Sequence, residues 1–124
     1  MTTTHKILLC EDDPDVRTSV TMLLQMTGYN VKAVDLAIKV KDMLETFKPD
    51  LLLIDLWLPN ISGDVCIKTI RMEEKNHLPI ILFSANTQVR SIAQECGADD
   101  YLIKPFEIEE LEQKLKLQLK ARQA

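Results

Sequence analysis

Three short apolar runs, Ile7-Leu8-Leu9-Cys10, Leu51-Leu52-Leu53-Ile54 and Ile80-Ile81-Leu82-Phe83, constrain this chain more than any other feature. Each has the length of a strand and offers no polar residue to water, so each needs cover on both faces. Between the runs, apolar residues recur at helical steps: Val16, Val20, Leu23 and Leu24; Leu36, Val40, Met43, Leu44 and Phe47; Val89, Ile92, Ala93 and Cys96; Ile108, Leu111, Leu115 and Leu119. The stretch from Asp64 to Met72 has the same period more weakly, and Met22, Met26, Met43 and Met72 are expected in this packing. The pattern is a strand and a helix repeated five times, with strands at Lys6–Cys10, Asn30–Val34, Leu51–Asp55, Ile80–Ser84 and Asp100–Ile103. Right-handed crossovers then put helices on both faces, which predicts an α/β fold with a doubly wound, five-stranded parallel sheet.

Local signals agree. Asp13 before Pro14 is an N-cap followed by proline at the first helical position. Gly28 and Gly97 fit helix C-termini, and Glu110 with Lys114 and Glu112 with Lys116 form i,i+4 pairs. The 124 residues, 46% of them hydrophobic, suit one domain spanning 1–124. A net charge of −4 and the lack of any Lys and Arg cluster argue against direct nucleic-acid contact. No signal peptide or membrane-length apolar stretch stands in the sequence, so a cytoplasmic location away from membrane is expected. Cys10, Cys66 and Cys96 are odd in number and widely spaced, which suits buried or half-buried thiols and neither a disulfide framework nor a zinc site.

In open parallel sheets ligands bind outside the carboxyl ends of the strands. There the chain places Glu11 and Asp12 after the first strand, Asp55 and Ser84 at the ends of the third and fourth, and Lys104 after the fifth. Three carboxylates in one crevice repel by on the order of several kcal/mol unless screened, so the arrangement asks for a divalent cation. Oxygen-only ligands from Glu11, Asp12 and Asp55 point to Mg²⁺. The Ser84 hydroxyl and Lys104 ammonium would take the oxygens of a transferred phosphoryl group, leaving Asp55 as nucleophile. Plainer roles stand beside these: a turn former for Asp55, a cap for Ser84, a surface charge for Lys104 and a helix-dipole partner for Glu11 or Asp12. Their shared position at one sheet edge favours the chemistry.

Four blocks, in order, resemble the receiver domain of two-component response regulators. They are Ile7-Leu8-Leu9-Cys10-Glu11-Asp12-Asp13; Pro49-Asp50-Leu51-Leu52-Leu53-Ile54-Asp55 with Pro59 and Gly63; Phe83-Ser84-Ala85; and Gly97-Ala98-Asp99-Asp100-Tyr101-Leu102-Ile103-Lys104-Pro105-Phe106. The resemblance covers nearly the whole chain and implies a flavodoxin-like strand order 2-1-3-4-5. It implies Asp55 as phosphoacceptor, Asp12 as a direct metal ligand, Glu11 as the second acidic-pocket member and the Trp57 backbone carbonyl as a further ligand. Ser84 and Tyr101 would be the switch pair and Lys104 the phosphate-binding lysine, with the Lys104-Pro105 bond cis where sequence alone favours trans.

Some positions depart from the commonest family pattern. Glu11 replaces a more frequent Asp, which is expected to alter the water around the metal more than the chemistry. Trp57 and Asn86 stand two residues beyond Asp55 and Ser84, where family members tune hydrolysis of the phosphoaspartate; Trp57 would slow it, or simply pack on its loop. The implied function is a switch with self-catalysed phosphotransfer, not a turnover enzyme. Its partners would be a sensor histidine kinase or phosphotransfer protein, and a downstream target reached through the face of the fourth helix, fifth strand and fifth helix. The last helix uses up the chain, so either the module acts alone or it is cut from something longer. That same face would suit a homodimer, with Lys114 where a basic residue joins the dimer face in some members of the family and Asp99, Asp100 and Arg90 as candidate partners. A phosphatase with an aspartyl nucleophile after its first strand is one alternative, but Asp13-Pro14-Asp15-Val16-Arg17 has Arg17 where that pattern needs Thr or Val. A scaffold without phosphorylation is another, and the complete acidic site counts against it.

Overall fold

A computed structural model describes residues 4–74 and 77–123. Its elements are β1 (Lys6–Cys10), α1 (Pro14–Met26), β2 (Asn30–Val34), a 3-10 turn (Ala37–Lys39), α2 (Val40–Thr46), β3 (Leu51–Asp55), α3 (Gly63–Glu73), β4 (Ile80–Ser84), α4 (Val89–Cys96), β5 (Asp100–Ile103) and α5 (Ile108–Gln123). The five strands form one parallel sheet in the order β2-β1-β3-β4-β5, with the bounds that the apolar pattern predicts.

Burial explains why the central strands are apolar throughout. Alternate side chains leave opposite faces of a strand. Leu8, Cys10, Leu52, Ile54, Ile80 and Leu82 meet Val40, Ile67, Ile70, Val89 and Ala93 in one layer, against α2, α3 and α4. Ile7, Leu9, Leu51, Leu53, Ile81 and Phe83 meet Val20, Leu24, Leu111, Leu115 and Leu119 in the other, against α1 and α5. The register sets the strand ends level: Cys10 pairs with Ile54, Asp55 with Phe83, and Ser84 with Ile103. Glu11, Asp55, Ser84 and Lys104 therefore emerge together.

Caps form as the residue types require. The Asp13 carboxylate accepts from the backbone N–H groups of Asp15 (2.9 Å) and Val16 (3.3 Å), and Pro14 opens α1. Gly97 ends α4 at φ +94°, a left-handed conformation that a side chain resists. The Lys104-Pro105 peptide is cis. Cys10, Cys66 and Cys96 are free and buried; burial, with the neighbouring Cys66 and Glu11, pushes the Cys10 thiol up to about 12, and burial pushes Cys66 up to about 11. Such thiols stay protonated and unreactive. Among the described residues, no helix is long and apolar enough to cross a membrane.

Three expectations change. Met22, Met26 and Met72 are exposed, and only Met43 of the four packs on the core. Their apolar character does not decide which side of the helix stripe they occupy. The apolar period that begins at Leu36 starts with a 3-10 turn, because Leu36 itself is extended (φ −133°, ψ 142°). Lys114 is used away from Glu110: its ammonium meets Asp100 Oδ1 at 3.0 Å and the Tyr101 carbonyl, and lies 4.3 Å from the Tyr101 ring centroid.

Arg71, near the end of α3, ties three segments together. Its guanidinium donates to the Gly97 carbonyl (2.8 Å), the Leu78 carbonyl (2.7 Å), both Glu74 oxygens (3.0 Å) and Asp99 Oδ2 (2.8 Å). Asp99 Oδ2 also accepts from the Ile80 N–H at 2.8 Å, and its Oδ1 lies 2.6 Å from His77 Nε2. The side chain of Arg71 is only 15% exposed, so removing it strands partly buried carboxylates and carbonyls. Arg71→Ala is expected to lower stability by about 3 kcal/mol in urea unfolding, and Arg71→Lys to recover little of it; a loss well under 1 kcal/mol would mean that water serves these acceptors equally well.

Candidate functional site

The carboxyl ends of β1, β3 and β5 bring two buried carboxylates and an ammonium into contact. Glu11 is 1% exposed and Asp55 4%. Lys104 Nζ lies 3.2 Å from Glu11 Oε1 and 3.2 Å from Asp55 Oδ2. It also sits 4.8 Å from the Phe83 ring centroid, which holds the ammonium low against the sheet. Glu11, Asp12 and Asp55 each present a carboxylate oxygen within 4.8 Å of the others, with Asp12 on the exposed side. One ammonium accompanies three carboxyl groups.

Burial, then the hydrogen bond and charge of Asp55, raise the Glu11 carboxyl, and the nearby Lys104 lowers it; the result is about 8, from an ordinary 4.5. Glu11 Oε2 is buried and has no hydrogen-bond partner among the described residues. A buried carboxylate oxygen left without a donor, beside two further carboxylates, suits a hard cation. The donor set is oxygen only, which fits Mg²⁺ and not zinc.

Asp55 is held by backbone as well as by charge. Its Oδ1 accepts the Trp57 N–H at 3.2 Å, and Leu56 N–H donates to the Phe83 carbonyl at 3.0 Å. The first turn of α3 then closes on this loop: Gly63 N–H donates to the Leu56 carbonyl at 2.9 Å. A Cβ on Gly63 would stand 2.2 Å from the Asp55 carbonyl oxygen, so only glycine allows that approach.

The remaining expected residues surround the same point. Ser84 is fully buried, and its Oγ accepts the Asn86 N–H at 3.1 Å. Asp55, Trp57, Ala85, Asn86 and Lys104 line an open depression of about 560 Å³, with the Trp57 indole 66% exposed at its rim. Tyr101 stands apart from the carboxylates, half-buried against the α4 layer under the Lys114 ammonium. Asn86 lines the site beside Ser84, where the sequence directs attention to it, whereas the part of Arg17 was not anticipated. Asn86 Oδ1 accepts the Gln88 N–H at 2.8 Å ahead of α4. Arg17 Nη1 donates to the Glu11 carbonyl at 2.9 Å and the Asp12 carbonyl at 3.3 Å. The available signal for Arg17 was a cation in the opening turns of a helix, where the dipole disfavours it.

Comparison with known proteins is decisive here. Residues 7–116 match the family model of the response regulator receiver domain. The chain belongs to this family. Receivers of this kind are phosphorylation switches of two-component systems, and the β2-β1-β3-β4-β5 sheet is their flavodoxin-like fold. The receiver is 37% identical over 109 residues to the DNA-binding dual master transcriptional regulator RpaA of Synechocystis sp., covering 86% of this chain and 45% of that one. It thus spans about half the length of the curated relatives it matches, and the expectation of no nucleic-acid contact concerns these 124 residues alone. A crystal structure of a putative response regulator from Chloroflexus aurantiacus superposes with a TM-score of 0.87 at 30% identity, covering 95% of this receiver and 99% of that chain. The receiver domain of the sensor histidine kinase PA1611 from Pseudomonas aeruginosa, with a magnesium ion coordinated in its active site cleft, gives 0.86 at 32% identity, covering 95% and 99%.

Two outcomes follow from this geometry. Gly63→Ala is expected to displace the Asp55 carbonyl at a cost of about 1–3 kcal/mol, measured by thermal or urea unfolding, and to weaken Mg²⁺ binding; wild-type values for both would mean that the loop yields freely. Because the folded state raises Glu11 from 4.5 to about 8, its contribution is fully present below about pH 4.5 and is lost as pH rises through about 8. The urea midpoint in chelator should therefore fall across this window relative to Glu11→Gln, and saturating Mg²⁺ should restore most at the upper end, since binding displaces the proton.

Proposed function

We propose that Asp55 is the phosphoacceptor of this receiver, with residues 1–124 forming one regulatory unit. The observation that supports this most directly is the ammonium of Lys104 held 3.2 Å from Asp55 Oδ2, with Glu11 and Asp12 carboxylates alongside. Asp55 attacks the phosphorus of a phosphohistidine on a kinase or phosphotransfer partner; the P–N bond breaks, the Asp55 O–P bond forms and the imidazole leaves with a proton. Lys104 turns from the two carboxylates to the incoming phosphoryl oxygens, where its fixed charge meets the developing negative charge. Glu11, Asp12, Asp55 and the Trp57 carbonyl would hold Mg²⁺, which when bound offsets the carboxylate repulsion and neutralises phosphoryl charge.

Ser84 gives up the Asn86 N–H and donates its hydroxyl proton to a phosphoryl oxygen. Tyr101 then repositions behind it, and the α4, β5 and α5 surface changes its affinity for a target or an output domain in the cytoplasm. Lys114, Asp99 and Asp100 already have partners within the chain, so a homodimer through this face has to exchange those contacts. The acceptor is self-modifying and turns over only through slow loss of its own phosphoryl group.

Incubation with acetyl phosphate and Mg²⁺ should add one phosphoryl mass to the wild type and none to Asp55→Asn. Chelation of Mg²⁺ should reduce the wild-type adduct to background. An adduct of equal yield on Asp55→Asn would move the acceptor elsewhere.

A further inference from the structure

We infer that Arg17 is a positioning residue of the acidic pocket, its guanidinium clamping the peptide carbonyls of Glu11 and Asp12 so that both carboxylates face a divalent cation. This rests on Glu11 and Asp12 as metal-holding residues. The segment from Glu11 to Asp13 is anchored at its two ends by other means. The Glu11 N–H donates to the Val34 carbonyl at 3.0 Å, and the Asp13 carboxylate caps α1. Neither contact sets the orientation of the two peptide planes between them. Arg17 Nη1 does, by donating to Glu11 O at 2.9 Å and Asp12 O at 3.3 Å. The Arg17 N–H bonds the Asp13 carbonyl at 2.9 Å, so the clamp is built on the first backbone bond of the helix that Asp13 caps.

Electrostatics and positioning predict opposite signs for its removal. A guanidinium beside a pocket of carboxylates competes with a bound cation, and deleting its charge alone would tighten Mg²⁺ binding. Deleting a clamp on the ligand-bearing backbone loosens it, by roughly tenfold or more for groups that orient metal ligands. The geometry favours the clamp, because both contacts are to neutral carbonyls.

Mg²⁺ is titrated calorimetrically into the full chain carrying Arg17→Gln or Arg17→Lys, and amide order parameters of Asp12 and Asp13 are measured in chelator. The expected result is Kd about tenfold higher for Arg17→Gln, partial recovery in Arg17→Lys, and lower order parameters at Asp12 and Asp13 without change in β3 and β4. An unchanged or lower Kd in Arg17→Gln overturns the inference. If the wild type itself takes up no Mg²⁺, the metal reading fails and the order parameters alone decide: a drop confined to Asp12 and Asp13 supports the clamp, and unchanged values overturn it.

Discussion

The contact on which the site depends is the ammonium of Lys104 set between two buried carboxylates, Glu11 and Asp55. Burying two like charges on adjacent strands is costly, and one cation offsets only part of that cost. The fold supplies each member separately. Glu11 and Asp55 come from neighbouring strands of the sheet interior, and Lys104 comes from the edge strand two positions away. The parallel register makes the three coincide, because every strand ends at the same level. The Glu11 Oε2, without a partner among the described residues, and the upward shift of its carboxyl both reflect a burial that the single ammonium offsets only in part.

The backbone takes its share of this organisation. Gly63 brings α3 against the Asp55 carbonyl, Trp57 N–H holds one oxygen of its carboxylate, and Arg17 holds the peptides that carry Glu11 and Asp12. Each is a contact to main chain or from main chain. Gly63 and Arg17 act on the peptides that carry the acidic side chains, and the Trp57 N–H acts on the Asp55 carboxylate itself, so orientation comes from main-chain contacts as well as from the ammonium of Lys104.

Much of this was legible in the sequence, because the features concerned are local or periodic. The five strands fall where continuous or alternating apolar residues place them, and Asp13 with Pro14 marks the start of α1. The convergence of Glu11, Asp12, Asp55 and Lys104 followed from topology, since parallel strands share one functional edge. What escaped depends on tertiary partners. Met26 and Met72 look like Met43 by composition, and only the packing of α1 and α3 turns them outward. Arg71 resembles any charged helical residue until Gly97, Leu78 and Asp99 are seen to surround it. Lys114 has a suitable acid four residues earlier, yet Asp100 and the Tyr101 ring offer it a more enclosed place.

Tyr101 lies on β5, and β5 is four residues long with a single hydrogen-bonded neighbour, β4. A strand in the interior of the sheet is gripped by two ladders and by helices on both faces. Shifting an edge strand breaks one ladder only, and the register of the others survives. Ser84 on β4 is paired with Ile103 of β5, so the strand beside it is one whose displacement disturbs a single ladder, whereas β1 and β3 are each held by two.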